Sequence, residues 1–530
     1  MSLVLPCMMQ PNCHRLLLRR CCLFLGETCT LLAGIDRSLF FRSLFQALGH
    51  ADAAIALAAC NAICQAMDGM DISTGKDDLV AFLPVLPGVI EQLTKLLAAF
   101  EKEDSKSRIL HAISVTIGHA GPAAAPLAAS LIAAFPQIWD VTRNFPTTQP
   151  KCLMLLTSLI NCAREGIAPQ LPAVCSVIAF TVNVKDPSAL TTREYALDTC
   201  LAVLRCVSAY TEDLHKLFEH LLPLLNEDHC EHVKCITCII DSFVLLGGAT
   251  FASVYAAAVL QGLVRMLPHV KEQGKVRVCQ SIHIMFVAVP GVAGTEAAGA
   301  ACAAIATEAA SPATYPSSIL ATSYYGVLAR YCFLNTGNFI ALCRHLGDGA
   351  LNLLMDVSAT RVPRHASPVI HIVLQAMFVS MDQAPPPISC LMLASCLQVL
   401  ASLASDGARP DSLHSLAHGA LNAGVNSNSI FASTRSSSNH LYALTDSLMK
   451  TFGMYVAESE TGDDGYVPPD VLRKRALASG DPVASASPKS VLIQAIQSMQ
   501  TSLPPGVFQD VMAGVDPDIL KQAIAITQQT

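Results

Sequence analysis

The sequence predicts an all-α fold, an α-α superhelix in which HEAT- or armadillo-like helix pairs form a solenoid. Three observations predict it: a length of 530 residues, a composition that is 52% hydrophobic but 6% aromatic, and a recurring Pro-containing signature. A chain of this length exceeds what one compact core supports, so it forms either several domains or an elongated array. Abundant small and medium aliphatic side chains suit packing between helices, and they favour the array.

Helical periodicity is clear in the segment 193–207. Its apolar residues recur at steps of three and four and make one buried stripe, which consists of Ala196, Leu197, Cys200, Leu201 and Leu204. The next segment, 211–226, opens with Thr211 and two acidic residues, a pattern typical of a helix N-terminus. The predicted unit is therefore a pair of helices.

An apolar-Pro-x-aliphatic signature recurs along the first half of the chain. It lies at Pro84, Pro136, Pro172, Pro223 and Pro268. Successive prolines are 52, 36, 51 and 45 residues apart, about 46 on average, and a HEAT or armadillo repeat has about 40–47 residues. Loops between helices absorb the irregular spacing at little cost, so the signature indicates a repeat array.

The array is predicted to occupy residues 1–428. Residues 429–490 are rich in Ser and Asn and then acidic, and we expect them to be partly disordered, with a helix near 441–456. Residues 491–530 regain apolar periodicity, and they predict short C-terminal helices.

Charge and cysteine usage exclude several classes of function. The balance of 34 Lys and Arg against 41 Asp and Glu gives a net charge of −7, so nucleic acid is not an expected partner. This charge gives a slight preference for basic partners. The 21 cysteines lack the spacing of a disulfide framework, and we expect reduced thiols that pack as small hydrophobic residues in the cytosol or nucleus.

Two features raise the question of secretion or of a membrane. Residues 1–33 resemble a signal peptide superficially, but the apolar run 21–25 is short and Gly26 interrupts it. The segments 115–139 and 309–329 are long and uncharged, yet each contains prolines, and each is predicted to form two helices around a loop. We therefore expect neither secretion nor membrane insertion.

The sequence predicts no catalytic, cofactor-binding or metal-binding site. The sequence has no phosphate-binding Gly-rich loop, no G-x-S-x-G and no H-E-x-x-H, so we expect no enzyme activity, no catalytic or cofactor-binding residue and no cofactor. The densest group of metal-ligand types is His229, Cys230, His232, Cys235 and Cys238. It continues into the apolar run 239–246 and has no distant second pair, so no metal site is predicted there or elsewhere.

Several isolated residues receive structural interpretations instead. Gly247-Gly248 and the Gly347–Gly349 segment are predicted to end helices. From their apolar surroundings, His111, His283 and His371 are predicted to be core or boundary residues of helices, and Trp139 is predicted to be a wedge between helices.

Ordered segments carry a family resemblance. The first group comprises Phe82-Leu-Pro-Val-Leu86 and its continuation to 97, followed by the helices 108–117, 134–139 and 153–160. The second spans 320–339, and the third consists of the C-terminal segments 473–483 and 508–516. Together, and in this order, they resemble the importin-β superfamily of karyopherins, and within it the importin-eleven branch. The likeness covers nearly the whole chain, from about residue 15.

The resemblance implies a nuclear transport receptor. Such receptors are superhelices of HEAT repeats that hold cargo proteins on a concave surface, offer apolar grooves to Phe-Gly nucleoporins and respond to the GTPase Ran. It implies residence in the cytoplasm, the nucleus and the nuclear pore.

The match begins in the middle of the receptor, which indicates either a piece of a longer protein or a shortened one. The N-terminal repeats that chiefly grip Ran have no counterpart, so Ran is the weakest expected partner. No individual cargo- or Ran-binding residue is predicted. The alternative is a HEAT-repeat scaffold or adaptor subunit of another complex.

Overall fold

The computed structural model describes residues 4–10, 13–29, 36–69, 76–145, 147–183, 190–309 and 318–345. Within these ranges the regular structure consists of α-helices and short 3-10 turns, with no strand, which confirms the all-α prediction. The chain divides into two compact units, Met1–Leu221 and Leu222–Thr530. The segments predicted at 429–490 and 491–530 lie outside the described residues, as do His371 and the Gly347–Gly349 segment.

The described helices of the first unit follow one another with short connections. They are α1 (Val4–Met8), α2 (Arg15–Thr28), α3 (Arg37–Leu48), α4 (Ala53–Asp68), α5 (Lys76–Phe82), α6 (Leu86–Ala99), α7 (Glu103–Ala120), α8 (Ala125–Thr142), α9 (Gln149–Ala163), α10 (Leu171–Thr181), α11 (Leu190–Cys206) and α12 (Glu212–Leu221).

The described helices of the second unit are α13 (Val233–Met266), α14 (Glu272–Ala288), α15 (Glu296–Ala309), α16 (Ser318–Leu334) and α17 (Thr336–His345).

The helices of the first unit form two rows. In the first row α4 packs against α2 and α7, α7 packs against α9, and α9 packs against α11. The second row contains α3, α6, α8 and α10, and each of these packs against the first-row helix that follows it. Each helix pair therefore repeats the arrangement of the previous one, as in a HEAT-type array.

The first row is held by an apolar core with a few polar links between equivalent positions. Ser114 Oγ and Ser158 Oγ share a 2.9 Å hydrogen bond, and so do Thr157 Oγ1 and Thr199 Oγ1. The partners are 44 and 42 residues apart in the chain, which is the length of a HEAT repeat. The predicted period is thus present in the packing itself.

Local sequence signals fix where several helices begin. Asp52 caps α4 by accepting a 2.9 Å hydrogen bond from the Ala54 amide, and Thr211 accepts one of 3.4 Å from the Leu214 amide at the start of α12. Glu212 and Asp213 then occupy the first turn of α12, where carboxylates favour the positive end of the helix. The capping role predicted for Thr211 is confirmed.

The second unit repeats the pairing pattern. Helix α14 packs between α13 and α16, while α15 packs against α13 and α16 and also contacts α17. Helix α13 is two helices joined at Gly248, whose backbone has φ +49°. The prediction that Gly247-Gly248 ends a helix is confirmed, because only glycine adopts this conformation without strain.

Three described helical segments end with the same backbone conformation. Gly121 after α7 has φ +53°, Arg164 after α9 has φ +50°, and Gly248 within α13 has φ +49°. Their ψ values are −135°, −126° and −129°. The sharp turn into the next helix is therefore a repeated feature, which glycine serves in two places and arginine in the third.

The prolines of the recurring signature do not occupy one equivalent position. Pro84 lies in the turn before α6, Pro136 lies inside α8, and Pro172 lies in the first turn of α10. Pro223 and Pro268 lie in 3-10 turns after α12 and α13. The spacing indicated the correct fold class, but each proline serves a different local role, because proline is accepted at several points around a helix end.

Two helical stretches, Glu103–Thr142 and Glu227–His269, are long and apolar enough to cross a membrane. Each contains a glycine at positive φ, Gly121 in the first and Gly248 in the second, and the helix is broken there. The segment 115–139 therefore forms parts of two helices around a turn, as predicted. Each stretch is therefore a pair of consecutive shorter helices.

Candidate protein-binding surface

An exposed aromatic side chain lies between two second-row helices of the first unit. Phe180 on α10 is 53% exposed, and its ring meets the edge of Trp139 on α8, with centroids 5.9 Å apart and planes at 80°. Trp139 itself is buried, which confirms its predicted role as a wedge between helices. The pair forms a shallow apolar site that offers one ring face to an incoming side chain.

Helix α8 carries another exposed apolar residue near its C-terminal end. Val141 is 48% exposed, while its carbonyl accepts a 3.2 Å hydrogen bond from Lys106 Nζ of α7. Single exposed apolar residues are normal on protein surfaces, and the feature that marks this one is the packing of the exposed Phe180 ring on the buried Trp139. We refer to Trp139 and Phe180 as the α8–α10 apolar site.

The second unit begins with an acidic turn. Glu227, Asp228 and Glu231 are exposed, and all lie in the 3-10 segment Glu227–His232. Asn226 caps this segment by accepting a 2.9 Å hydrogen bond from the Asp228 amide. Three carboxylates in so short a stretch create a local negative potential, in keeping with the slight preference for basic partners.

The second unit also contains a buried polar network. Asp241 of α13 accepts a 2.6 Å hydrogen bond from Ser281 Oγ of α14, and its other oxygen lies 3.5 Å from Arg277 Nη2. Asp241 is only 2% exposed, so this charge depends on its partners. The network links helices α13 and α14.

A buried histidine continues the polar links of the second unit. His283 Nε2 accepts a 3.3 Å hydrogen bond from Arg330 Nε of α16. Burial lowers the pKa of His283 well below its ordinary value, and the positive charge of Arg330 lowers it further. The imidazole is therefore neutral at physiological pH, and the prediction of a core histidine is confirmed.

The histidine- and cysteine-rich segment 229–238 does not converge on one point. Cys235 and Cys238 lie on α13, as predicted, whereas His229 is buried in the preceding 3-10 turn. Cys238 Sγ accepts a 3.0 Å hydrogen bond from Arg277 Nη2, and such a contact with a cation disfavours a metal ion.

A different set of metal-ligand types does converge. Within the described ranges, the single group of three or more such side chains close enough to share an ion is Cys64, Asp68 and His111, whose ligand atoms lie within 4.8 Å of one another. Burial raises the pKa of the Cys64 thiol to about 12, and the charge of Asp68 raises it too. Sequence reasoning missed this group because its members come from α4 and α7, which are neighbours only in the fold.

The comparisons with known proteins agree with this architecture. A family model described as importin-11-like, TPR repeats, matches residues 151–528. Importin-11 of Mus musculus is 22% identical over 518 residues, which cover 96% of this chain and 49% of that protein. Importin-11 of Homo sapiens is 21% identical over 513 residues, with the same coverage. The chain thus spans about half the length of the curated relatives it matches.

A solved structure shows the same fold. The structure described as Lph2, a bidirectional nuclear transport receptor of S. cerevisiae, matches with a TM-score of 0.77 and 16% identity over 100% of this chain and 54% of that one. The links between first-row helices, 42 and 44 residues apart, exceed the 34 residues of a TPR unit and fit HEAT-type pairs. Since the family model matches well over half of its residues, the chain belongs to the importin-11-like family.

Proposed function

We propose that the chain functions as part of a nuclear transport receptor, which binds cargo proteins and Phe-Gly nucleoporins and moves between cytoplasm and nucleus through the nuclear pore. The observation that carries this proposal is the importin-11-like match over residues 151–528. The relatives that share this match are transport receptors by name. The function is binding, without catalysis.

The helix array supports the proposal physically. Stacked helix pairs expose a long surface on which many weak contacts add together, and this suits cargo of varied sequence. The exposed carboxylates at 227–231 favour a basic cargo segment.

The α8–α10 apolar site is the proposed docking point for a Phe-Gly repeat. The phenyl ring of such a repeat would stack on Phe180, whose own ring packs against the buried Trp139. Single contacts of this size are weak, and receptor movement through the pore depends on rapid release, so a shallow site is appropriate.

A binding experiment tests this docking point. Immobilised Phe-Gly repeat protein is incubated with the full chain, and with variants Phe180→Ser and Val254→Ser. Val254 is also exposed, at 57%, but belongs to α13 of the second unit, so it is the matched control. We expect Phe180→Ser to weaken capture by about tenfold and Val254→Ser to leave it unchanged. Equal capture by all three proteins would remove the site from the proposal.

A second experiment tests transport itself. Fluorescent chain is added to permeabilised cells, with an inert protein of similar mass as the control, and nuclear and pore-rim fluorescence are measured. The proposal expects enrichment at the rim and in the nucleus. Exclusion from nuclei together with stoichiometric capture of one cytoplasmic enzyme would instead support a scaffold subunit.

Ran-GTP serves as a further bait in the capture experiment. Its binding would extend the proposal to GTPase-controlled release of cargo, whereas capture of Phe-Gly repeats alone would restrict this chain to pore and cargo contacts. Either outcome is read on the same immobilised-bait assay, with Ran-GDP as the control.

A further inference from the structure

Three side chains from two consecutive first-row helices converge near the surface of the first unit. Cys64 and Asp68 are four residues apart on α4, so they lie on the same face, one turn from each other. His111 comes from α7, which packs directly against α4. We propose that Cys64, Asp68 and His111 form a zinc-binding site that joins these two helices.

The distances suit a tetrahedral zinc ion. Bonds of about 2.3 Å to sulfur and 2.0–2.2 Å to nitrogen or oxygen place neighbouring ligand atoms about 3.5 Å apart. Cys64 Sγ lies 3.8 Å from Asp68 Oδ2, and no pair of ligand atoms in the group exceeds 4.8 Å. Side-chain movements of about 1 Å therefore bring the three ligand atoms to the distances of a tetrahedral zinc site, with water as the fourth ligand.

The state of His111 points to a missing partner. Its Nδ1 atom is buried and has no hydrogen-bond partner among the residues that the structure describes. A buried polar atom without a partner is costly, and coordination through Nδ1 gives this nitrogen the contact it lacks. Asp68 is exposed, so an ion reaches the site from solvent.

The donor set selects the kind of ion. A thiolate and an imidazole are ligands that zinc prefers, whereas magnesium and calcium require sites built almost entirely from oxygen. Zinc also has no redox chemistry, so occupation fixes α4 to α7 without introducing reactivity.

One neighbouring charge opposes the ion. Lys151 of α9 is close enough to lower the pKa of both Cys64 and His111, so its ammonium group would also repel a dication. Its Nζ lies 3.7 Å from Met154 Sδ, a weak contact that does not neutralise the charge. Lys151 therefore lowers the affinity of the site for zinc. Replacing a ligand and replacing Lys151 should then change this affinity in opposite directions.

The experiment measures Zn²⁺ binding to the full reduced chain by competition with a chromophoric chelator. We expect Cys64→Ser to weaken zinc binding by at least about 100-fold. Lys151→Met should tighten it by about tenfold, because the repulsion is removed. Cys235→Ser is the matched control, since Cys235 is another half-buried cysteine in a segment rich in ligand types, and its substitution should have no effect.

Co²⁺ provides a second readout that identifies the ligands. A thiolate bound to Co²⁺ gives a charge-transfer absorption, which Cys64→Ser should remove and Zn²⁺ should displace. Circular dichroism of each variant confirms that the helices are intact. The proposal is overturned if Cys64→Ser leaves both the spectrum and the affinity unchanged, or if Cys235→Ser abolishes them instead.

Discussion

Ser281 Oγ of α14 donates a 2.6 Å hydrogen bond to Asp241 Oδ1 of α13, forty residues earlier in the chain. Arg277 Nη2 lies 3.5 Å from the other oxygen of the same carboxylate. One buried acid thus holds two positions of α14, and it fixes the register between α13 and α14.

Replacement of this acid is predicted to destabilise the second unit strongly. Asp241→Ala removes the buried carboxylate that faces both Ser281 and Arg277, whose side chain is only 13% exposed, and we expect a loss of about 3–5 kcal/mol in the free energy of unfolding. Glu91→Gln is the control, since Glu91 forms an exposed pair with Lys95 at 2.6 Å and should change stability by less than about 0.5 kcal/mol. Urea titrations followed by circular dichroism measure both, and equal losses would contradict the prediction.

His283 is predicted to make stability depend on pH. Its folded pKa is well below the unfolded value of 6.5, so the unfolded chain binds a proton that the folded chain does not. The contribution of this neutral imidazole is fully present above pH 6.5, and it is lost as the pH falls from 6.5 toward the folded pKa. The slope from this group is about 1.4 kcal/mol per pH unit.

The substitution His283→Gln tests how much His283 contributes to the dependence of stability on pH. Glutamine can still accept a hydrogen bond from Arg330 but does not titrate, so the stability of the variant should fall less steeply below pH 6.5 than that of the natural chain. Unfolding titrations at pH 7.5, 6.5 and 5.5 provide the comparison. Parallel curves for the two proteins would show that His283 does not titrate on unfolding.

The turn after α9 is predicted to be strained by its arginine. Arg164 has φ +50°, a value that its counterparts Gly121 and Gly248 adopt freely. Arg164→Gly should therefore stabilise the first unit by about 1 kcal/mol, whereas Gly248→Ala should destabilise the second by about 1–2 kcal/mol.

Arg143→Gly is the control for the arginine substitution. Arg143 follows α8 with φ −59°, so glycine brings no relief of strain there and only increases the freedom of the unfolded chain. Thermal unfolding distinguishes the cases by the sign of the change in Tm. A lower Tm for Arg164→Gly would mean that contacts of the arginine side chain outweigh the backbone strain.

The change in stability caused by replacing a helical glycine with alanine is predicted to depend on the space around that glycine. At Gly262 an added Cβ would lie 2.5 Å from Leu225 Cβ, and Gly262→Ala should cost about 1–3 kcal/mol through overpacking. At Gly118 the nearest atom is Ser158 Oγ at 3.8 Å, so Gly118→Ala should stabilise α7 by about 0.5–1 kcal/mol. The two substitutions are compared by chemical denaturation.

Helix content and class were predictable because they rest on local signals. Four of the five residues in the predicted stripe are buried as expected, while Leu201 is half-buried, and Thr211 caps α12. The spacing of the five prolines indicated the length of the repeat, although the prolines do not occupy one equivalent position within it. Proline is accepted at several places near a helix end.

The candidate sites were not predictable in the same way. Phe180 meets Trp139, and His111 meets Cys64, only after helices one repeat apart pack together. Positions along the sequence do not show that such residues are neighbours in the fold. The four-residue step from Cys64 to Asp68 was the one local signal of the metal-ligand group.

The reactivity of buried thiols can report where the helices of the first unit separate. Burial raises the pKa of Cys60, Cys152 and Cys175 to about 12, so these sulfurs are protonated and shielded while their helices stay packed. They lie on α4, α9 and α10, in different helix pairs. A brief exposure to an alkylating reagent under native conditions would therefore mark each pair at the rate at which it separates, and show where along the array the first unit begins to come apart.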